Sequence, residues 1–472
     1  MGSDMQPQPL KMIFFPFMAQ GHILPMVDMA NLFASRGVQA AIFTTPGNAS
    51  VIQPSISDTQ VQLLIVPFPS HPQIPPGCEN ASSLPSLEMR QAFFLAIADL
   101  REPFRQTVQE FRPDCIVTDM FLPWTVDVAA DLNIPRLVFH GTNVFSRCCI
   151  DSFDRHNLAV QENPEDQLVI HPGLPHEIKL LRSQLDSSRT SHPSRAALFK
   201  AMRESESRSY GVVVNSFYEV EPDYADHYRS VLGKKSWHVG PVSLCNTDAF
   251  ERGNKAAIDQ ENLVSWLETK ASRSVVYVCF GSMVNFPAEQ IRELALGLEA
   301  SGHSFVWVVR NHQIEGIVPE EFEERTRGRG LIIKGWAPQI LILNHRSVGC
   351  FVTHCGWNSS LEGITAGVPL VTWPLFAEQF YNEKLIVDVL KIGVGVGVEK
   401  YGIVAEEREV IEAARVERAV REVLGGGEEA EERRRRAREL GKAARRAVEE
   451  GGSSYVDVSN LMQELIERRS SI

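Results

Sequence analysis

The sequence predicts an α/β protein in two halves, each built on a parallel sheet. Three observations carry this. Short apolar strands alternating with helical stretches begin at Lys11. Residues 246–262 form a polar stretch of linker composition. A second strand series then restarts at Ser274. The 472 residues are enough for two or three domains with substantial cores.

In the first half, Lys11–Phe15 is a strand that breaks at Pro16. Pro25 suits the first turn of the next helix, which runs to about Ser35 and is closed by Gly37 before the strand Val38–Thr44. His22 then falls in a strand-to-helix loop, at the carboxyl edge where open α/β sheets bind ligands. Cys115–Thr118 is another strand, with Asp119 at its end. Two strand ends of one sheet can bring an imidazole and a carboxylate together. Histidine titrates near neutrality and can take a proton from a hydroxyl, while a carboxylate on its other nitrogen fixes the tautomer. Capping and turn formation would also explain either residue. Gly211–Phe217 adds a buried strand, and Phe121, Trp124, Phe139 and Phe145 are candidates to line a pocket at this edge.

In the second half, Ser274–Phe280 is a strand followed by the small turn Gly281-Ser282 and a helix from about Pro287 to Ser301. Strands Phe305–Arg310 and Leu331–Lys334 lead into the stretch from Trp336 to Gln379. There the strand Cys350–Thr353 runs into His354-Cys355-Gly356-Trp357-Asn358-Ser359, then a helix from Ser360 to about Ala366, closed by Gly367, and a strand Leu370–Trp373. A helix N-terminus beside a strand's carboxyl end favours phosphate. Gly356 permits close approach, His354 adds a donor, and Asn358 and Glu362 share a helix face. A carboxylate in that position can accept from ribose hydroxyls, and Trp336 offers a flat surface to a base. The competing account is structural: Ser359 and Glu362 fit a capping box, and His354, Trp336 and Trp357 could simply pack.

A net charge of −12 argues against nucleic acid or an anionic membrane as main partner. No apolar run is long enough for a transmembrane helix, and the polar start and closing segment (Asn460–Ile472) suggest neither signal peptide nor membrane anchor. Eight cysteines without a CxxC pair fit reduced thiols and a cytoplasmic location. No G-x-G-x-x-G follows a strand and no P-loop motif occurs, which sets aside nicotinamide oxidoreductases and P-loop kinases. Gly393–Val398 reads as a strand, Glu428–Arg438 as a solvated helix, and Tyr455–Glu467 as a final helix.

As a unit, Trp336–Gln379 closely resembles the signature box of plant family 1 UDP-sugar glycosyltransferases. The resemblance covers most of the chain and implies the GT-B fold, two Rossmann-like domains facing across a cleft. Residues 1–245 would bind the acceptor and 246–262 link the domains. Residues 263–454 would bind the UDP-sugar, and 455–472 would pack back on the first domain. By the same resemblance, Trp336 stacks on uracil with Ala337 and Gln339 at its edge, and Glu362 holds the ribose. Ser282, His354, Gly356, Asn358 and Ser359 serve the diphosphate, and Trp357, Glu378 and Gln379 the sugar. Gln379 goes with UDP-glucose, where a histidine would go with UDP-galactose. His22 would be the base and Asp119 its partner in one inverting step. No metal or other cofactor is implied, and no Asp-x-Asp occurs. The expected acceptor is a small hydrophobic hydroxylated metabolite, a flavonoid or other phenolic first and a triterpenoid or steroid second. A monomer is expected. A catalytically silent sugar-nucleotide binder would keep the box but not need His22 and Asp119, so their presence favours an enzyme.

Overall fold

The computed structural model describes residues 8–158, 166–186, 192–245, 252–309, 317 and 320–471. Seven parallel strands form the first sheet, in the order β3-β2-β1-β4-β5-β8-β9. They are β1 (Lys11–Phe15), β2 (Gln39–Thr44), β3 (Gln62–Ile65), β4 (Cys115–Asp119), β5 (Arg136–Phe139), β8 (Gly211–Val214) and β9 (Ser236–His238). A small antiparallel pair, β6 (Leu168–His171) and β7 (Ile178–Leu181), stands apart. Every residue of β4, β5 and β8 is buried, as expected of central strands covered by helices on both faces.

The second sheet has six parallel strands in the order β12-β11-β10-β13-β14-β15. These are β10 (Val275–Cys279), β11 (Ser304–Val309), β12 (Gly330–Lys334), β13 (Val348–Thr353), β14 (Leu370–Thr372) and β15 (Gly393–Gly395). In each sheet the chain builds outward over three strands and then returns beside its first. The strand order therefore reverses between β1 and β4, and again between β10 and β13. Each reversal opens a crevice at the carboxyl ends of the strands, the place where such sheets hold ligands.

The closing helix, Ser453–Ser470, belongs with the first sheet. Val458, Leu461 and Leu465 are at most 1% exposed and share a core with Met12, Phe14 and Trp237. Asp457 accepts from Arg229 at 2.7 Å and from the His238 backbone at 2.8 Å. All eight cysteines are free.

Three expectations need correction. His22 is not in a loop but in the first turn of a helix running Gln20–Ser35, with Pro25 inside that helix. Proline lacks the N–H that would reach the carbonyl four residues back, which is Gly21. That carbonyl is not orphaned, because Asn358 Nδ2 donates to it at 2.6 Å. The signature-box helix starts at Trp357, three residues earlier than expected, and Gly356 is its N-cap with no side-chain cap. The capping-box account of Ser359 and Glu362 therefore fails. Finally, β15 stops at Gly395, since its partner β14 has only three residues to pair with. Arg310 and residues 246–251 of the linker lie outside the described residues.

Candidate functional site

The two crevices face each other and merge into one cleft of about 1200 Å³. Every candidate catalytic or donor-site residue lines it except Asp119, which is fully buried behind His22. On the first sheet, His22 Nδ1 lies 2.6 Å from Asp119 Oδ2, joining the end of β1 to the end of β4. A carboxylate only accepts, so Nδ1 carries the hydrogen and, in the neutral ring, Nε2 keeps its lone pair. The other Asp119 oxygen accepts from the Phe121 backbone at 3.0 Å, which fixes the carboxylate. Gly141, just past β5, backs the imidazole: a Cβ there would stand 3.1 Å from Cε1. Burial works against protonating His22, but the adjoining Asp119 outweighs it and the pKa is raised above its ordinary value.

Across the cleft, His354 is packed between two turns. A Cβ on Gly281 would lie 2.9 Å from its ring, and one on Gly356 would lie 2.5 Å from Nε2. Gly281 also has a φ of +71°, so both chain geometry and space require glycine there. Burial lowers the His354 pKa to about 4, which keeps the ring neutral at physiological pH. Its Nδ1 and Asn358 Oδ1 are buried without a protein partner among the described residues, beside the N-terminus of the Trp357–Ala366 helix. Ser359 Oγ accepts from Gln339 Nε2 at 3.1 Å, and Glu362 Oε2 from the same nitrogen at 2.7 Å.

Farther along the cleft, Leu375 and Phe376 N–H groups both donate to Gln379 Oε1, at 2.9 and 3.0 Å. Two donors on one oxygen orient the amide and leave its NH2 as the remaining polar group. Burial raises the Glu378 pKa, opposed by backbone donors that include Trp357. The Trp357 indole, 1% exposed, points elsewhere and donates to the Asn215 backbone carbonyl of the first half at 2.7 Å. This residue thus offers the cleft its backbone, while its ring joins the halves.

Of the four aromatic residues expected at the first sheet's edge, only Phe121 reaches the cleft. Phe139 and Phe145 are wholly buried, and Trp124 packs on Phe15 and Phe104. The wall is built instead by Phe17, Phe93, Phe94 and Phe199, with Phe17 and Phe94 stacked at 5.4 Å. Sequence reasoning also missed Arg252, whose guanidinium bonds both Asp28 and Glu362. Among the described residues, no three His, Cys, Asp or Glu side chains gather as a metal site. No described helix is long and apolar enough to cross a membrane.

Comparison with known proteins gives one consistent result. The family model for UDP-glucoronosyl and UDP-glucosyl transferase matches residues 199–424. The chain is 49% identical to scopoletin glucosyltransferase from Nicotiana tabacum, over 97% of this chain and 98% of that one. It is 46% identical to UDP-glucose flavonoid 3-O-glucosyltransferase 7 from Fragaria ananassa, over 97% and 96%. Among solved structures it is similar to Glycyrrhiza uralensis UGT73P12 complexed with glycyrrhetinic acid 3-O-monoglucuronide. There the TM-score is 0.92 and the identity 41%, covering 98% of this chain and 97% of that one.

Proposed function

This chain belongs to the plant family 1 UDP-sugar glycosyltransferases, and on that premise we propose that His22 is the base that activates an acceptor hydroxyl for attack on UDP-glucose. The enzyme is an inverting, metal-independent glucosyltransferase of GT-B fold, acting on small plant metabolites. The observation that carries the assignment of the base is the His22–Asp119 pair at 2.6 Å, set at one sheet's crevice and facing the other's. The acceptor O–H gives its proton to Nε2 as its oxygen bonds the anomeric carbon from the face opposite UDP. The carbon–oxygen bond to UDP breaks in the same step, inverting the configuration, and Asp119 stabilises the imidazolium. UDP leaves with the bonding pair.

The donor groups are arranged for that departure. The Trp357–Ala366 helix N-terminus, with Ser282, His354, Gly356, Asn358 and Ser359, stabilises the diphosphate electrostatically. Trp336, with the backbone of Ala337 and Gln339, takes the uracil, Glu362 the ribose, and Glu378, Gln379 and the Trp357 backbone the glucose. Both sides of the cleft come from one chain, which suits a monomer. Its apolar, aromatic wall suits a flat phenolic acceptor, in keeping with the scopoletin and flavonoid enzymes it resembles. The second acceptor reading, a triterpenoid, is favoured by the likeness to a structure holding glycyrrhetinic acid 3-O-monoglucuronide.

Mass spectrometry of enzyme with UDP-glucose, UDP-galactose or UDP-xylose and pooled phenolics or triterpenoids tests this reading. The expected product is one hexose heavier, formed from UDP-glucose and absent with His22→Ala. Transfer surviving in that variant overturns the base. Binding of UDP-glucose with no transfer to any acceptor favours a silent binder.

A further inference from the structure

Residues 252–257 run between the two halves and lie across the donor side of the cleft. Arg252 Nε and Nη2 donate to Asp28 Oδ2 at 2.9 and 2.8 Å, and Nη1 donates to Glu362 Oε1 at 2.7 Å. Asp28 is on the Gln20–Ser35 helix of the first half and Glu362 on the Trp357–Ala366 helix of the second. All three side chains are at least nine-tenths buried. Burial opposes the guanidinium charge, but the two carboxylates hold its pKa above the ordinary arginine value.

The next residue, Gly253, rests on Trp336: a Cβ there would stand 2.6 Å from Cζ2, and its φ is +90°. Ala257 N–H then donates to the Trp336 carbonyl at 2.8 Å. This one segment therefore grips both residues assigned to uridine, the indole and the carboxylate. Among the described residues, Glu362 has one protein donor on each oxygen, Arg252 on Oε1 and Gln339 on Oε2. Each oxygen retains a lone pair, so the carboxylate can still accept from a ribose diol. Without Arg252, Glu362 Oε1 has no donor among the described residues, and the aim of the buried carboxylate rests on the Gln339 amide.

We propose that Arg252 is a positioning residue for the donor, holding the Glu362 carboxylate aimed at the ribose, so that the linker acts as a clasp on the uridine site. This rests on the reading of Glu362 as the ribose-binding residue. Arginine suits the task because its planar fork reaches two carboxylates at once, which a lysine ammonium does not do in the same geometry.

The test is calorimetric titration with UDP and 2′-deoxy-UDP, alongside UDP-glucose kinetics, for the wild type, Arg252→Ala, Arg252→Lys and Glu362→Gln. Arg252→Ala is expected to raise the UDP Kd and the UDP-glucose KM about tenfold, with kcat changed by no more than about threefold. It should also shrink the preference for UDP over 2′-deoxy-UDP, and Arg252→Lys should recover part of both effects. Equal loss for the two nucleotides, unchanged UDP affinity, or tighter UDP binding would each overturn the clasp. Should the alanine variant not fold, the lysine variant decides by the same nucleotide preference. If Glu362→Gln keeps the wild-type preference, the ribose reading of Glu362 itself is wrong. If Glu362→Gln loses it and Arg252→Ala does not, only the clasp fails.

Discussion

Replacing Asp119 by asparagine changes no shape but removes one acceptor from a pair that needs two. Asp119 is fully buried, and its oxygens serve separate donors, His22 Nδ1 at 2.6 Å and the Phe121 N–H at 3.0 Å. Asparagine has a single acceptor oxygen. If that oxygen serves Phe121, the amide NH2 faces Nδ1 and forces the ring hydrogen onto Nε2, the atom that must be bare. If it serves His22, two N–H groups are pressed together at Phe121. Either way the charge beside the developing imidazolium is lost. Losing the carboxylate behind a catalytic histidine lowers kcat by up to about 10⁴-fold, which corresponds to about 5 kcal/mol of barrier. The pH profile gives an independent sign. Asp119 raises the His22 pKa, and the neutral ring is the active form, so kcat/KM climbs as pH rises through that value. In Asp119→Asn the acid limb should move to lower pH while the plateau falls. Initial rates of hexose transfer by mass spectrometry across pH, with a thermal melt to confirm folding, make the check. A variant within about threefold of wild-type kcat, or an unmoved acid limb, would refute the pairing as the source of the base's strength.

Other outcomes follow from the same geometry. Gly356→Ala drives a Cβ to 2.5 Å from His354 Nε2, so overpacking of about 1–3 kcal/mol should appear as a lower Tm together with weaker UDP binding. Trp357→Phe removes the donor to the Asn215 carbonyl and leaves that buried oxygen unpaired. Denaturant unfolding should show a loss of about 1–3 kcal/mol, with the donor KM little changed. Gln379→His replaces an amide oxygen that accepts from two backbone N–H groups with a ring nitrogen that accepts from one. The ratio of kcat/KM for UDP-galactose to that for UDP-glucose should rise, and an unchanged ratio would remove Gln379 as the donor selector.

Local chemistry made much of this legible in advance. Strand ends, small turns and the glycine-led helix of the signature box are written in adjacent residues, so the residues that line the second half's side of the cleft could be named in advance. His22 and Asp119 could be placed at strand ends, but Pro25 misled the helix boundary. Its orphaned partner carbonyl is satisfied by Asn358, 337 positions away, which no local rule anticipates. Arg252 was hidden for the same reason: its two carboxylates are 224 and 110 positions distant, and its own surroundings read as polar linker. The aromatic wall was misassigned because hydrophobicity alone does not say which phenylalanines fill core and which face a cleft. Phe139, in a central strand, is core, whereas Phe94, from a short helix beside the cleft, lines it.

The closing helix has a consequence for how the protein is made. Its Asp457 holds Arg229, 228 residues earlier, and its Val458, Leu461 and Leu465 complete the apolar layer under β1. At ordinary synthesis rates the ribosome takes roughly 10–45 s to cover that interval. For most of it, the first half stands with one face unsealed while the second half is still being made. The first half therefore cannot complete its core until the second half has been made. Loss of Ser453–Ser470 would strike the half of the protein farthest from it in sequence.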